Sequence, residues 1–302
     1  MRDLFADIGI FYGKRRTGKQ KERFIGYLDQ WLHRQGLQLH AVRYRQHRQE
    51  AIHLVIGDLE HAEKVVAVPY DTGSRVLLPF YKEHPLNVKK NAFCEMGNTL
   101  VYALLEILLL FLIVRVSSWF PMLGWPQRIA LVLFDAAALV LCWKLLRHFD
   151  NRMNVDHYSQ ALTAVIKSAS RNKGRLAYVL IDQSAAMESG YQQLAAMCAG
   201  KEVLLLQTLG NDQPLYLVHA HAQKKRAQTL KKECFPWAVL WEMEEEQLKK
   251  SLLYPFADAF LLVGADCRGK DLYVRHVRTG KDRQMNIERM EMVEKGISAY
   301  GR

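Results

Sequence analysis

The chain has 302 residues, 50% hydrophobic, 24% charged and 10% aromatic, with a formal net charge of +11. That length allows one large domain or two modest ones, and the charged and aromatic content excludes a disordered or low-complexity chain. The five cysteines, Cys94, Cys142, Cys198, Cys234 and Cys267, are scattered without CxxC spacing, which points to a reducing compartment and away from a disulfide scaffold. The first residues, Met-Arg-Asp-Leu-Phe-Ala-Asp, lack the apolar core of a signal peptide, so export is not expected.

In chain order, residues 8–12 read as a weak strand. Gly13-Lys-Arg-Arg-Thr-Gly18-Lys19-Gln20 then nearly matches the phosphate loop GxxxxGK[ST]. That loop needs a hydroxyl after the lysine to hold Mg²⁺, and glutamine stands there, so a basic loop leading into a helix is expected instead. Phe24, Tyr27, Leu28, Trp31 and Leu32 recur at helical spacing over 19–35, with Gly36 as the stop. Residues 51–56 and 64–68 read as buried strands.

Two apolar runs follow, 99–116 and 129–146, each reaching about 27 Å as a helix, close to the hydrocarbon thickness of a bilayer. Between them lie two prolines, Gly124, Trp119 and Trp125, a helix-breaking tip of the kind found at a membrane interface. Each run carries one acid, Glu106 or Asp135. An acid at the centre of a span costs roughly 2.5–3.5 kcal/mol, against about 0.3–0.6 kcal/mol returned by each Leu, Ile, Val or Phe, so the hairpin is expected to insert. In an antiparallel pair the two acids are expected within a turn of one another, as a structural lock or a functional site. Lys82, Lys89, Lys90, Lys144, Arg147 and Arg152 flank the open end, whereas the tip has only Arg115 and Arg128. The positive-inside bias therefore places the rest of the chain in the cytoplasm, on an inner-membrane, multi-pass protein.

Beyond the hairpin, 155–169, 190–198, 222–233, an acidic stretch at 242–252 and a closing segment from Ile287 read as helices. Residues 176–181, 202–207, 259–263 and 272–277 read as strands. Strands alternating with helices give an α/β layered sheet, formed by 1–98 together with 147–302 as one discontinuous domain around the hairpin at 99–146. His219 and His221 would share one strand face, which metals exploit, but without a third ligand nearby an exposed pair is expected. Lys224, Lys225, Arg226, Lys231, Lys232, Lys249 and Lys250 lack the aromatic interleaving of a nucleic-acid surface, so anionic lipid headgroups are the expected partner.

In order and spacing, the soluble segments resemble metallopeptidase family twenty-eight, the di-zinc aminopeptidase fold that also includes glutaminyl cyclases. Arg16-Thr-Gly18 is similar to its R-x-x-G-S, and 51–71 to its strand–turn–strand ending in A-H-Y-D. Residues 154–159 are similar to G-x-N-D-N-x-S-G, 178–185 to F-x-x-F-D-G-E-E and 205–210 to N-L-D-M-I-G. Residues 277–282, with Asn286-Ile287, are similar to Y-H-T-P-x-D … N-I-D. The resemblance implies a three-layer sandwich with a mostly parallel mixed sheet. It also implies that the positions of the zinc ligands hold Pro69, Asp156, Ala185, Gln207 and Arg278, with Ser184 at the general base and Asp71 as a supporting aspartate. Proline and alanine offer no side-chain donor, and arginine cannot ligate. No cofactor is therefore expected, and without metal or base no activated water. Arg278 is expected to replace the lost cation beside Asp156 or Asp71, since a buried carboxylate needs a counter-charge.

The expected protein is a membrane-anchored pseudo-peptidase that binds a peptide or protein and no nucleic acid. Two alternatives remain. One is an aminopeptidase with a rearranged metal site of Asp156, His157 and His276; the other is a small transport or sensing subunit using Glu106 and Asp135.

Overall fold

The computed structural model describes the whole chain except residues 47, 48, 152, 173–175 and 185–188. Arg152 and Ala185 thus lie outside the described residues. The helices are α1 (Arg2–Phe5), α2 (Gly18–Arg34), α3 (Val88–Ser117), α4 (Trp125–Leu146), α5 (Gln160–Arg171), α6 (Ser189–Met197), α7 (Lys224–Glu233), α8 (Glu245–Leu248) and α9 (Ile287–Tyr300). The strands are β1 (Leu39–Gln46), β2 (Gln49–Ile56), β3 (Lys64–Pro69), β4 (Lys82–Glu83), β5 (Ala177–Ile181), β6 (Glu202–Leu206), β7 (Leu215–Ala220), β8 (Val239–Met243), β9 (Ala259–Gly264), β10 (Asp266–Arg268) and β11 (Asp271–Arg275).

Among the described residues one sheet runs β1-β2-β5-β3-β6-β9-β7-β8. Its centre, β5-β3-β6-β9, is parallel. Alternate residues of the central strands enter two cores. Val66, Val68, Leu204, Leu206 and Leu262 pack with α1, α2, α5, α7 and α9. Val65, Ala67, Val203, Leu205 and Leu261 pack with α6 and the small β10-β11-β4 sheet. A parallel sheet covered on both faces needs apolar side chains at successive positions, so these strands read as unbroken apolar runs. This is the expected three-layer α/β architecture.

Three local expectations are corrected. Residues 8–12 are not a strand: Ala6–Phe11 forms a π-helical turn. The acidic helix at 242–252 is confined to α8, because Glu242 and Met243 belong to edge strand β8, paired with β7. The first apolar helix begins at Val88, where the Asn87 side chain accepts from Lys90 N at 3.0 Å, so the expected boundary at residue 98 falls inside α3. The second begins at Trp125, with Gln127 Oε1 accepting from Gly124 N at 2.8 Å.

The helices α3 and α4 form an antiparallel pair whose apolar side chains stay largely uncovered, Leu108, Phe111 and Val114 being more than 60% exposed. At the open end the Tyr102 and His148 rings stack at 4.2 Å. Towards the tip Ser117 Oγ donates to Asp135 at 2.7 Å. Glu106 lies roughly 16 Å down α3 from Ser117, so Glu106 and Asp135 are not brought together.

The near-match to a phosphate loop has a structural explanation. Gln20 Oε1 accepts from the backbone N–H groups of Arg16 and Thr17 at 3.1 Å each, capping α2. Arg15 is fully buried and donates to Tyr70 O (2.5 Å), Ile8 O (2.7 Å), Tyr12 O (2.7 Å) and Ser159 Oγ (3.0 Å). Burial pulls its pKa down to about 10, against the raising influence of Asp71 and Tyr70, so the guanidinium stays charged and ties the N-terminal turn to the end of β3. Arg15→Met leaves those acceptors unpaired at about 1–3 kcal/mol each. The expected loss is at least about 3 kcal/mol, a fall of roughly 6–12 °C in Tm for this size. A fall under 2 °C would contradict the assignment.

Candidate functional site

Ligand sites in such sheets lie beyond the carboxyl ends of the parallel strands. There β3 ends at Pro69, aligned with Ile181 of β5, and Asp71 follows. Beyond β5 comes Ser184, and beyond β6 comes Gln207. Asp71 accepts from Ser184 Oγ and, at 3.2 Å, from Ser184 N. Ser184, Gln207 and Arg278 line one cavity of about 180 Å³ together with Tyr81, Glu83, Glu95, His157, Tyr158 and Tyr191.

Asp156 belongs to the tight turn Val155–Ser159 before α5, in which Tyr158 takes φ +71°. Its Oδ1 accepts from Gly210 N at 2.8 Å and Gln160 Nε2 at 3.2 Å. Asp282 bridges this turn to Arg278, accepting from Asp156 N (2.7 Å) and Arg278 N (3.3 Å). The described positions picked out by the resemblance thus gather at one sheet edge.

The expected partner of Arg278 is corrected. Its guanidinium, 1% exposed, donates to Tyr81 Oη at 2.6 Å and pairs with Glu95 of α3. Tyr81 Oη in turn donates to Glu95 at 2.6 Å. Asp156 and Asp71 instead receive the bonds described above. Burial alone would lower the Arg278 pKa, but Tyr81, Glu95 and Glu83 outweigh it and the pKa rises. Gly73 makes room: a Cβ there would stand 2.0 Å from Arg278 Nη1.

Glu83, at the end of β4, presents Oε1 to the Tyr158 hydroxyl at 3.2 Å. Its Oε2 sits 3.6 Å from His157 Nδ1, too far for a hydrogen bond. Burial opposes its charge, but His157, Arg278 and Tyr158 outweigh that and hold its pKa below the usual value. Burial lowers the His157 pKa, so at neutral pH that imidazole is uncharged. Gln207 Nε2 donates to Tyr191 Oη at 3.3 Å. Glu83, Glu95 and the three tyrosines were missed from sequence. The only signal was the Asn87 cap, which starts α3 early enough to bring Glu95 over the sheet edge.

This donor set does not fit a pair of zinc ions. Pro69 has no donor, Asp156 is held by Gly210 and Gln160, and a guanidinium stands in the cavity wall. Among the described residues no group of three or more His, Cys, Asp or Glu side chains is placed to hold a metal. The rearranged trio is not assembled either, since His157 faces Glu83 whereas His276 is exposed. Nor do His219 and His221 share a face: His219 is buried at the end of β7, while exposed His221 begins the next turn beside Glu242.

Solved structures share this fold. A glutaminyl cyclase from Tannerella forsythia is 10% identical with a TM-score of 0.55, covering 100% of this chain and 96% of that one. A glutaminyl cyclase from Porphyromonas gingivalis is 10% identical with a TM-score of 0.57, covering 98% and 96%. A Zn-dependent exopeptidase from Parabacteroides distasonis is 10% identical with a TM-score of 0.54, covering 99% and 94%. No protein-family profile and no curated protein sequence matches the chain. The fold is therefore the α/β fold of glutaminyl cyclases and zinc-dependent exopeptidases.

Two measurements check the site. Glu95→Met strands a buried cation and should cost about 3–5 kcal/mol, and adding Arg278→Met should recover part of that loss; additive losses would contradict the pairing. Burial raises Asp156 from 3.8 to about 7, and burial with Asp156 nearby raises Asp282 likewise to about 7. Between about pH 4 and 7 the folded chain keeps protons that the unfolded chain releases, so the stability they contribute is complete below about pH 4 and lost by about pH 7. Asp282→Asn should flatten that fall in Tm; an unchanged slope would count against it.

Proposed function

We propose that this chain is a membrane-anchored, non-catalytic protein with the di-zinc aminopeptidase fold, a pseudo-peptidase that binds rather than hydrolyses. The observation that carries this reading is Arg278, a charged guanidinium in the wall of the cavity where the resembled family holds metal. A guanidinium has no lone pair with which to ligate zinc, and Pro69, Gln207 and Ser184 supply neither the ligand set nor the base that would activate water. The vacated edge serves as a recognition surface for a peptide or protein partner.

Anchoring rests on the exposed apolar faces of α3 and α4. The 22 residues of α4 span about 33 Å, matching the hydrocarbon core. Trp119 and Trp125, both more than half exposed at the tip, are suited to the far interface. Lys82, Lys89, Lys90, Lys144 and Arg147 at the open end support a cytoplasmic α/β domain on an inner membrane, with its basic surface against anionic lipid.

Zinc-supplemented protein should show no turnover of aminoacyl-anilide or N-terminal glutaminyl substrates, and measurable turnover would overturn the non-catalytic reading. The chain should stay in the membrane pellet through alkaline carbonate. A cysteine introduced at Met122 should label from the side opposite to native Cys267, which is exposed on the α/β domain. Labelling from the same side would overturn the topology.

A further inference from the structure

The cavity at the sheet edge holds buried polar atoms without hydrogen-bond partners among the described residues, two of them, Glu83 Oε2 and His157 Nδ1, standing 3.6 Å apart. Glu83 Oε2, Gln207 Oε1 and both ring nitrogens of His157 lack hydrogen-bond partners among the described residues, and all three residues are less than 9% exposed. Such atoms ordinarily cost about 1–3 kcal/mol each, which makes a cluster of them facing one cavity a sign of a ligand. Acceptors outnumber donors among them, the donors being one imidazole N–H and, in the same wall, Arg278 Nε. Glu83 is a carboxylate with an open oxygen, Gln207 offers a carbonyl oxygen because its amide nitrogen already donates to Tyr191, and a neutral imidazole offers one lone pair. Among the described lining residues the one guanidinium, Arg278, is paired with Glu95.

We infer that this cavity binds a small primary ammonium ion, with Glu83 Oε2, Gln207 Oε1 and one His157 nitrogen accepting its three N–H bonds. The inference rests on the non-catalytic reading, since it places the ligand where hydrolytic metal would otherwise sit, and it narrows the occupant of the cavity itself to a small amine, leaving a peptide or protein partner to the surface around it. Tyr81, Tyr158 and Tyr191 wall the same space, giving the alkyl part an apolar surface and the cation aromatic faces. A volume of about 180 Å³ exceeds what a single water needs and suits an ion of a few carbon atoms. Val88, Asn91, Ala92 and Glu95 on the first turns of α3 close one side, which favours a free small molecule over the end of a long chain. The first turns of α3 are thereby part of the binding site wall.

The test is calorimetric titration of the detergent-solubilised full chain with n-propylammonium chloride. Saturable binding is expected, at least tenfold tighter than tetramethylammonium, which has no N–H donor, and absent for 1-propanol, which has no charge. Glu83→Gln should weaken binding at least tenfold. Gln207→Leu, which removes an acceptor without touching a charge, should weaken it severalfold, both variants keeping the parent circular-dichroism spectrum. No saturable binding to the parent protein, equal binding of tetramethylammonium, or unchanged affinity in both variants would overturn the assignment. A tripeptide with a free amino terminus binding as tightly as propylammonium would overturn the small-ligand part and return the site to chain ends. The two readings fail separately: peptidase turnover defeats the non-catalytic proposal whatever the amine does, whereas absent turnover with absent amine binding defeats only this one.

Discussion

One buried cation sets the terms for the rest of the molecule. Arg278 lies out of water at the end of the sheet, and a charge in that position is tolerable only when paired and hydrogen-bonded. Its partners come from elsewhere in the sequence: Tyr81 from the segment after β3, and Glu95 from α3, 183 positions away along the chain. Bringing Glu95 to Arg278 obliges α3 to begin over the sheet edge, and the same helix then continues unbroken into the long apolar pair. Asn98 and Tyr102, one and two turns further on, accept from Leu77 N at 2.9 Å and donate to Arg75 O at 2.9 Å, so the foot of the pair is fastened to the domain and not hung from a loop.

That fastening links the two halves of the proposed function. The wall of the cavity and the base of the proposed membrane anchor are one helix, so an occupant of the sheet edge would press on the element proposed to hold the protein in the bilayer. Glu83, Gln207 and His157 contribute the polar interior, the tyrosines contribute the walls, and several buried polar atoms without partners among the described residues face this one cavity. Functional sites commonly depart from the rule that buried polar groups are paired.

Much of the fold was legible in the sequence because its central strands are covered on both faces. Val65–Val68 and Val203–Leu206 leave no polar position, and β3, β5, β6 and β9 are accordingly readable. The edges were not. Arg43 and Arg45 on β1 are exposed, so that strand carried no apolar run. Glu242 on β8 looked helical because its neighbours in sequence are acidic. Residues 8–12 looked extended because Ile8, Ile10 and Phe11 are apolar, yet Ile8 packs into the core from a π-helical turn. At the site, the positions that end strands were found through their order along the chain. The groups that complete it, Glu83 and Glu95, are brought in by a two-residue strand and by the start of a helix, elements too short or too remote for sequence periodicity to mark. An ion pair for Arg278 was foreseen from the need of Asp156 or Asp71 for a counter-charge, but its partner was misplaced, since nothing local distinguishes Glu95 from a solvated helix residue.

The account stands on the claim that a hydrolase framework persists here without the means to hold its metal. The most direct measurement is zinc content, by plasma mass spectrometry, of the chain purified from cells, equilibrated with micromolar zinc and desalted. The account predicts well under one zinc per chain. Two zinc ions per chain would contradict it.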